Sequence, residues 1–254
     1  MLAQERRNHI LERLQEEKSV VVGELSQRYG VSEETIRRDL DKLEKDGYAI
    51  KSYGGAVVNQ NVSIDMPFNV RKKRNVVGKQ KIAEIVSEMI DDGDHIILDA
   101  STTAVFIAKA IKDKKNLTII TNSIEIMIEL SDVPDWNIIS TGGSLREGYL
   151  ALVGPRVVEG LRTYHVEKAF ISCKGADLES GFTDSNEDFA LTKRVMLSRA
   201  KEKVMVVDSS KIDTVAFAHI GDLDDVDAVV TDNKPSKKWL DYFKENEIKC
   251  YYPQ

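Results

Sequence analysis

Cysteine is scarce: Cys173 and Cys250 are the only two among 254 residues. They stand far apart and without C-x-x-C spacing, so neither a disulfide framework nor a cysteine-based zinc site is expected. The simplest expectation is a reduced, cytoplasmic protein in which both are small buried apolar side chains. Histidine is sparse too. His9, His95, His165 and His219 show no H-E-x-x-H or Cys/His spacing, so no metal is expected. No apolar run is long enough to span a bilayer. The opening stretch MLAQERRNHILERL mixes both charge signs among its apolar residues, unlike a secretory signal. Positive charge is not in excess either. The net charge is −6, so any contact with nucleic acid must come from a local patch.

What is present divides at about a quarter of the chain. Hydrophobic residues make up 42% and charged residues 31%, a balance that suits a soluble globular protein with one large domain or a small and a medium one. VSEETIRRDLDKLEKDG, residues 31–47, predicts a helix. Ser32 is a good N-cap, Gly47 a good stop, and Ile36, Leu40 and Leu43 fall on one stripe. The capping box is incomplete, because Thr35 stands where Glu or Gln would be. The two arginines point to different flanks. Arg37 has acids at i−4 and i+4 and is expected to be held in surface pairs worth about 0.2–0.5 kcal/mol. Arg38 shares its flank with Thr35 and Lys42, which makes that flank the better candidate for a DNA surface.

The neighbours of this helix fit. Ile10, Leu11 and Leu14 share one helical face, and VVVGELSQRYG reads as a short extended run and then a short helix closed by Gly30. Two helices joined by a tight turn containing Gly form the helix-turn-helix pattern. YAIKSYGGAVV (48–58) reads as a small hairpin around Gly54-Gly55, a wing. Residues 1–60 hold ten Lys and Arg against eleven Asp and Glu, a net of −1, which excludes a strongly basic binder. The basic cluster VRKKRNVVGK (70–79) suits a solvated linker or a clamp on the DNA backbone, the linker being favoured.

ERRNHILERL, VVVGELSQRYGVSEETIRRDLDKLEKDG and KSYGGAVV together resemble the winged helix-turn-helix of the DeoR family of bacterial transcription regulators. TIRRDL followed by a GGA wing is the most specific part of the resemblance. It implies a recognition helix whose Ser32, Thr35, Arg37 and Arg38 face DNA, and a wing made of Lys51, Ser52, Tyr53, Gly54 and Gly55. Lys42 joins the set from the flank of Arg38. The helical wheel ranks Arg38 above Arg37 for base contact, since Arg to guanine is the commonest specific contact. Lys51 and Ser52 suit phosphate, which positions a protein without reading sequence.

From residue 75 the pattern changes. Ile82, Ile85, Val86, Met89 and Ile90 recur at helical spacing. Short apolar runs then end in small polar residues: HIILDASTT, LTIITNS, WNIISTGGS, AFISCKGAD, VMVVDSSK and DAVVTDN. Such runs suit buried strands of a largely parallel sheet, and the helical stretches between them predict an α/β domain. Ligands in such sheets bind beyond the carboxyl ends of the strands, where these polar residues fall. DASTTAVFIAKAI is the strongest member: Asp99 ends a strand, Ser101, Thr102 and Thr103 form a loop, and a helix follows. Loop hydroxyls and helix N–H groups suit an anion such as phosphate. No G-x-x-x-x-G-K-[ST] is present, so a single phosphate on a small molecule fits better than a nucleoside triphosphate.

The order of DASTT, TN, TGG, KGAD, GFTD and DSSK is similar to the DeoR-type effector domain, which resembles ribose-5-phosphate isomerase in fold. The resemblance implies binding of a phosphorylated sugar or polyol, with Asp99, Ser101, Thr102 and Thr103 as the phosphate loop. Thr121, Asn122, Gly142, Gly143, Lys174, Gly175, Asp184 and Lys211 match the remaining motifs. The loop departs from the family's usual D-S-G-T-T: Ala100 and Ser101 stand in place of Ser-Gly. The change removes a residue that adopts positive φ easily and adds a hydroxyl.

The expected organisation is therefore a winged head over 1–58, a linker over 59–74 and a sugar-phosphate-sensing α/β domain over 75–254. The expected function is a transcriptional regulator, more often a repressor in this family, that binds double-stranded operator DNA as a homo-oligomer and needs no cofactor. Paired heads would read repeated or inverted half-sites. Two alternatives remain at this stage. A sugar-phosphate isomerase would need a carboxylate base and a carbonyl polariser, which Asp99, Asp184, Glu187, Lys174 and Lys211 have the chemistry to provide. A protein-interaction module would use the winged head to dock a partner protein.

Overall fold

The computed structural model describes residues 1–59 and 66–254. They form two compact units, Met1–Arg74 and Asn75–Gln254. Among the described residues no helix is long and apolar enough to cross a membrane.

The first unit contains α1 (Ala3–Glu17), β1 (Ser19–Val21), α2 (Val22–Tyr29), α3 (Glu33–Lys45), β2 (Ala49–Ser52), β3 (Gly55–Val58) and α4 (Phe68–Lys73). Gly30 ends α2 in the left-handed region at φ 63°. Ser32 then starts α3, and its Oγ accepts the Thr35 N–H at 3.2 Å. The stripes read from the sequence close on one another: Ile10, Leu11 and Leu14 of α1, Leu25 of α2, and Ile36, Leu40 and Leu43 of α3 share one core. The wing is a three-stranded antiparallel sheet in the order β1-β3-β2, so β1 joins the expected hairpin. Arg6 and Asp39 form a buried ion pair at 2.6 Å, with Arg7 on the other carboxylate oxygen at 3.5 Å. This pair fastens α1 to α3. Removing one partner of such a pair costs about 3–5 kcal/mol, because the other charge stays buried.

Within the stretch read as a linker, residues 60–65 lie outside the described residues. The rest contains α4, whose Val70 packs with Met66 into the core of this unit. Lys73 reaches Glu12 of α1 at 2.9 Å. The basic cluster thus begins on a helix that packs against the head.

The second unit contains α5 (Val76–Glu88), β4 (His95–Leu98), α6 (Thr102–Ala110), β5 (Thr118–Thr121), α7 (Ile124–Leu130), β6 (Asn137–Ser140), β7 (Ser144–Arg146), β8 (Ala151–Val153), α8 (Pro155–Arg162), β9 (Val166–Ile171), β10 (Gly175–Asp177), β11 (Gly181–Asp184), α9 (Glu187–Ser198), β12 (Ala200–Val206), β13 (Ala218–Gly221), β14 (Ala228–Val230), α10 (Lys237–Glu245) and β15 (Lys249–Tyr251). The main sheet has seven strands in the order β15-β14-β12-β9-β4-β5-β6. Every pairing in it is parallel. Its six central and flanking runs are those read from the sequence; β15 is the seventh. Two antiparallel pieces, β10-β11-β13 and β7-β8, accompany it.

The register brings the strand ends into a row. Leu98 pairs with Thr121 and with Phe170, and Val206 with Val230. Asn122, Asp99, Ser172, Asp208 and Asp232 consequently follow one another along one rim of the sheet.

Candidate DNA-binding face and strand-end cluster

The exposed side of α3 and the tip of the wing carry most of the residues assigned to DNA. Ser32 and Thr35 touch through their hydroxyls at 3.0 Å. Arg37 pairs with Glu33 at 2.6 Å, and Arg38 with Glu34 at 3.3 Å. The sequence reading placed Arg38 on a flank without acids, and the structure corrects it: Glu34 lies one turn back and reaches the guanidinium. Arg38 is still the more open of the two, with 78% of its side chain exposed against 51% for Arg37.

Lys42 pairs with Asp46 at 3.0 Å. Lys51 of the wing pairs with Asp41, which raises its pKa, and its backbone N–H donates to Glu44 at 2.8 Å. Ser52 and Tyr53 are exposed, and Tyr53 stands clear of the unit. The two wing glycines have different causes. Gly54 turns the chain at φ 81°, whereas Gly55 is buried and a Cβ there would lie 2.0 Å from the Val20 carbonyl oxygen. Gly55 therefore seals the strands of the wing and presents no surface to DNA.

In the second unit a buried ionic cluster forms at the rim. Asp99 is 1% exposed. One of its oxygens accepts the Ser101 N–H and the other the Ser172 N–H, both at 3.2 Å. Lys193 of α9 lies 3.4 Å from Asp99 and 2.5 Å from Asp184. Burial pushes the Asp184 carboxyl up, but the charges of Lys193 and Lys174 outweigh it and hold the group below its ordinary value. Burial would lower Lys193, yet Asp184 and Asp99 raise it. The pair is thus fixed in its ionised form.

Beside this cluster lies the start of α6. Ser101 adopts φ −86°, an ordinary extended conformation, and its Oγ accepts the Ala104 N–H at 3.0 Å. The family glycine is not required for this loop, and the added hydroxyl serves as the helix cap. Thr102 and Thr103 are buried in the first turn, where a helix offers N–H groups to an anion.

A third group completes the row. Lys79 of α5 is 3% exposed, lies 5.8 Å from the centre of the Phe106 ring on α6, and acts with Lys211 on Asp208. Burial raises Asp208, but Lys211, the Ser210 hydroxyl and Lys79 lower it overall. Asn75 caps α5 through its side chain and donates to Asp232 at 3.1 Å; Asp232 also accepts the Ser209 N–H at 2.6 Å.

The other expected residues divide by role. Asn122 donates to the Leu152 carbonyl at 2.9 Å, and its Oδ1 is buried without a hydrogen-bond partner among the described residues. Thr121 is fully buried and its hydroxyl accepts the Ser123 N–H at 3.1 Å, holding a turn. Gly142 is exposed at φ 68°. Gly143 and Gly175 sit where a Cβ would strike the Val153 and Thr214 carbonyls, so they permit close packing. Lys174 acts on Asp184.

Sequence reasoning missed Lys79 and Lys193. Lys193 had a signal: it falls at helical spacing among Phe189, Met196 and Leu197, on the buried side of α9. Asp39 and Arg6 had a weaker one, a charge at a core-facing position of each helix.

Comparison with known proteins places both units. Residues 6–62 match the DeoR-like helix-turn-helix domain, and residues 74–233 match the DeoR C-terminal sensor domain. The chain is 45% identical over 233 residues to the uncharacterized HTH-type transcriptional regulator YulB of Bacillus subtilis, covering 92% of this chain and 90% of that protein. It is 34% identical to the HTH-type transcriptional repressor GlcR of the same species, covering 98% of this chain and 95% of the relative. It is 33% identical to the L-fucose operon activator of Escherichia coli, covering 90% and 95%. A ribose 5-phosphate isomerase from Methanocaldococcus jannaschii is similar at 17% identity and a TM-score of 0.39 over 53% of each chain, a likeness too distant to bear on function. The chain belongs to the DeoR family of DNA-binding transcriptional regulators, a helix-turn-helix unit followed by a DeoR sensor domain.

Proposed function

We propose that this regulator is a cytoplasmic homo-oligomer that represses a carbohydrate-utilisation operon and is controlled by a phosphorylated sugar or polyol. Repression follows GlcR and the transcriptional repressor AccR of Agrobacterium fabrum among its relatives. The observation that carries the effector is a convergence at one sheet rim. The Ser-capped start of α6, Lys79 and Lys211 supply N–H groups and positive charge suited to phosphate. Asn122 Oδ1, buried without a hydrogen-bond partner among the described residues, suits a sugar hydroxyl, since such an acceptor carries a desolvation cost of about 1–3 kcal/mol that a donor relieves.

Asn75 is the first residue of the second unit, and Lys79 lies one turn further along α5. A phosphate drawn to Lys79 acts on a helix that begins at the junction. A difference in effector affinity between two states of about 1–3 kcal/mol changes DNA affinity about 5–150-fold.

Turnover is the weaker reading. A general base works with a pKa near the operating pH, whereas Asp184 is held below the ordinary carboxylate range by Lys193 and Lys174 despite its burial. Thermal-shift screening against sugar phosphates tests the proposal. At a hundredfold excess over Kd a ligand adds about 2.7 kcal/mol of stability. A flat response across pentose, hexose and polyol phosphates contradicts it.

A further inference from the structure

The candidate DNA face has four cations at its centre, and each already holds an acid. Arg37 meets Glu33, Arg38 meets Glu34, Lys42 meets Asp46, and Lys51 meets Asp41. Three of the pairs are i,i+4 contacts within or at the end of α3; the fourth ties the wing to it. All eight side chains are at least a third exposed, so the pairs are screened by water and do little for the fold. Two acids of the helix remain: Glu44 accepts the Lys51 backbone N–H, and Asp39 is buried and committed to Arg6 and Arg7.

The consequence falls on DNA. Non-specific binding is almost wholly the neutralisation of phosphates by cations, with release of counterions. A phosphate that approaches Arg38 must displace Glu34 or accept a carboxylate beside it. In the specific complex Arg38 meets a base edge in place of a phosphate, and its five N–H donors serve the base and Glu34 together, so the acid opposes that contact less. Acids placed on the reading cations therefore penalise random DNA more than the correct site.

We propose that Glu34, with Glu33 and Asp41, sets the specificity of the head by competing with DNA phosphates for Arg38, Arg37 and Lys51. These acids hold residues 1–60 at a net charge of −1, and the cations of residues 71–74 bring the whole unit to +2. The inference rests on α3 being the reading helix, which Arg38→Ala tests separately by loss of site selection.

The experiment uses the full chain. The duplex it selects from a randomised pool is compared with a scrambled duplex of equal length, at salt from about 50 to 200 mM, where phosphate contacts weigh most. Glu34→Gln and the triple variant Glu33→Gln/Glu34→Gln/Asp41→Asn keep side-chain size and remove charge. Affinity for the scrambled duplex is expected to rise on the order of three- to tenfold, with a steeper salt dependence of about one per cation released. Affinity for the selected duplex rises less, so the specificity ratio falls.

Glu16→Gln, an exposed acid on α1, leaves the ratio unchanged. An equal rise on both duplexes, no rise on either, or the same loss of ratio from Glu16→Gln would overturn the proposal. If Arg38→Ala leaves selection intact, the reading of α3 fails instead.

Discussion

At the scale of single residues the second unit depends on Lys193. Its ammonium pairs with two carboxylates that are each 1% exposed as side chains, and its removal would leave buried charge without a partner. Lys193→Met should destabilise the unit by about 3–5 kcal/mol, read from its denaturant midpoint. The pH dependence follows from the directions of the shifts. Asp184 is lowered from 3.8, so its contribution is present above that value and fades as acid takes pH through the lower folded value. Lys193 is raised from 10.5, so its contribution is complete below that value and is lost only as pH rises through the higher folded value. The intact unit should therefore be insensitive between about pH 5 and 9 and weaken in acid. In Lys193→Met the buried Asp184 loses its main counter-charge and its pKa rises. Stability should then increase as pH falls from 7 to 5, the opposite trend; a flat or parallel profile would contradict the role given to Lys193.

The cysteines have a simpler prediction. Burial pushes the Cys173 thiol to about 12 and Cys250 to about 11. Neither should be alkylated in the native chain at pH 7 while both react after denaturation. Both were expected as buried apolar residues from their isolation in sequence; Cys173 is buried and Cys250 half-buried. Lys193 and Lys79 were harder to read, because a lysine's place on a buried helix face becomes visible only once the facing carboxylates are brought in by distant strands.

At the scale of elements, local rules carried the first unit. Ser32, Gly30 and the Ile36-Leu40-Leu43 stripe specify α3 by capping and periodicity alone, and the helix stands where they place it. Ser32→Ala should cost about 1 kcal/mol and lower the melting temperature of the head. Non-local elements were less legible. β1 joins the wing only because Gly55 lets β3 approach the Val20 backbone, a contact no local pattern announces. β15, β10 and the β7-β8 hairpin are three-residue strands, too short to show a period. Gly55→Ala should disrupt the wing by about 1–3 kcal/mol or more. It should abolish DNA retardation while the second unit keeps its ligand-induced thermal shift; normal retardation would show that the wing is dispensable.

At the scale of the whole molecule, the family defines a DNA-binding unit and a sensor, and the proposed link is a shift in relative affinity. Asn75 and Asp232 hold the first turn of α5 to the rim at 3.1 Å, beside the lysine assigned to phosphate. Both unit types were foreseeable from motif order. The rim itself became readable only through strand register, which sets Asn122, Asp99, Ser172, Asp208 and Asp232 side by side. Asp232→Asn should preserve DNA binding and effector binding but reduce the coupling between them.

The most direct measurement is the affinity of the full chain for its selected duplex, titrated with a panel of sugar and polyol phosphates. At least one compound should change that affinity about 5–150-fold, and Thr102→Val should abolish the change while leaving the affinity without ligand intact. If no phosphorylated compound alters DNA affinity, or if Thr102→Val responds as the unmodified chain does, the link between the strand-end cluster and the DNA-binding face is wrong.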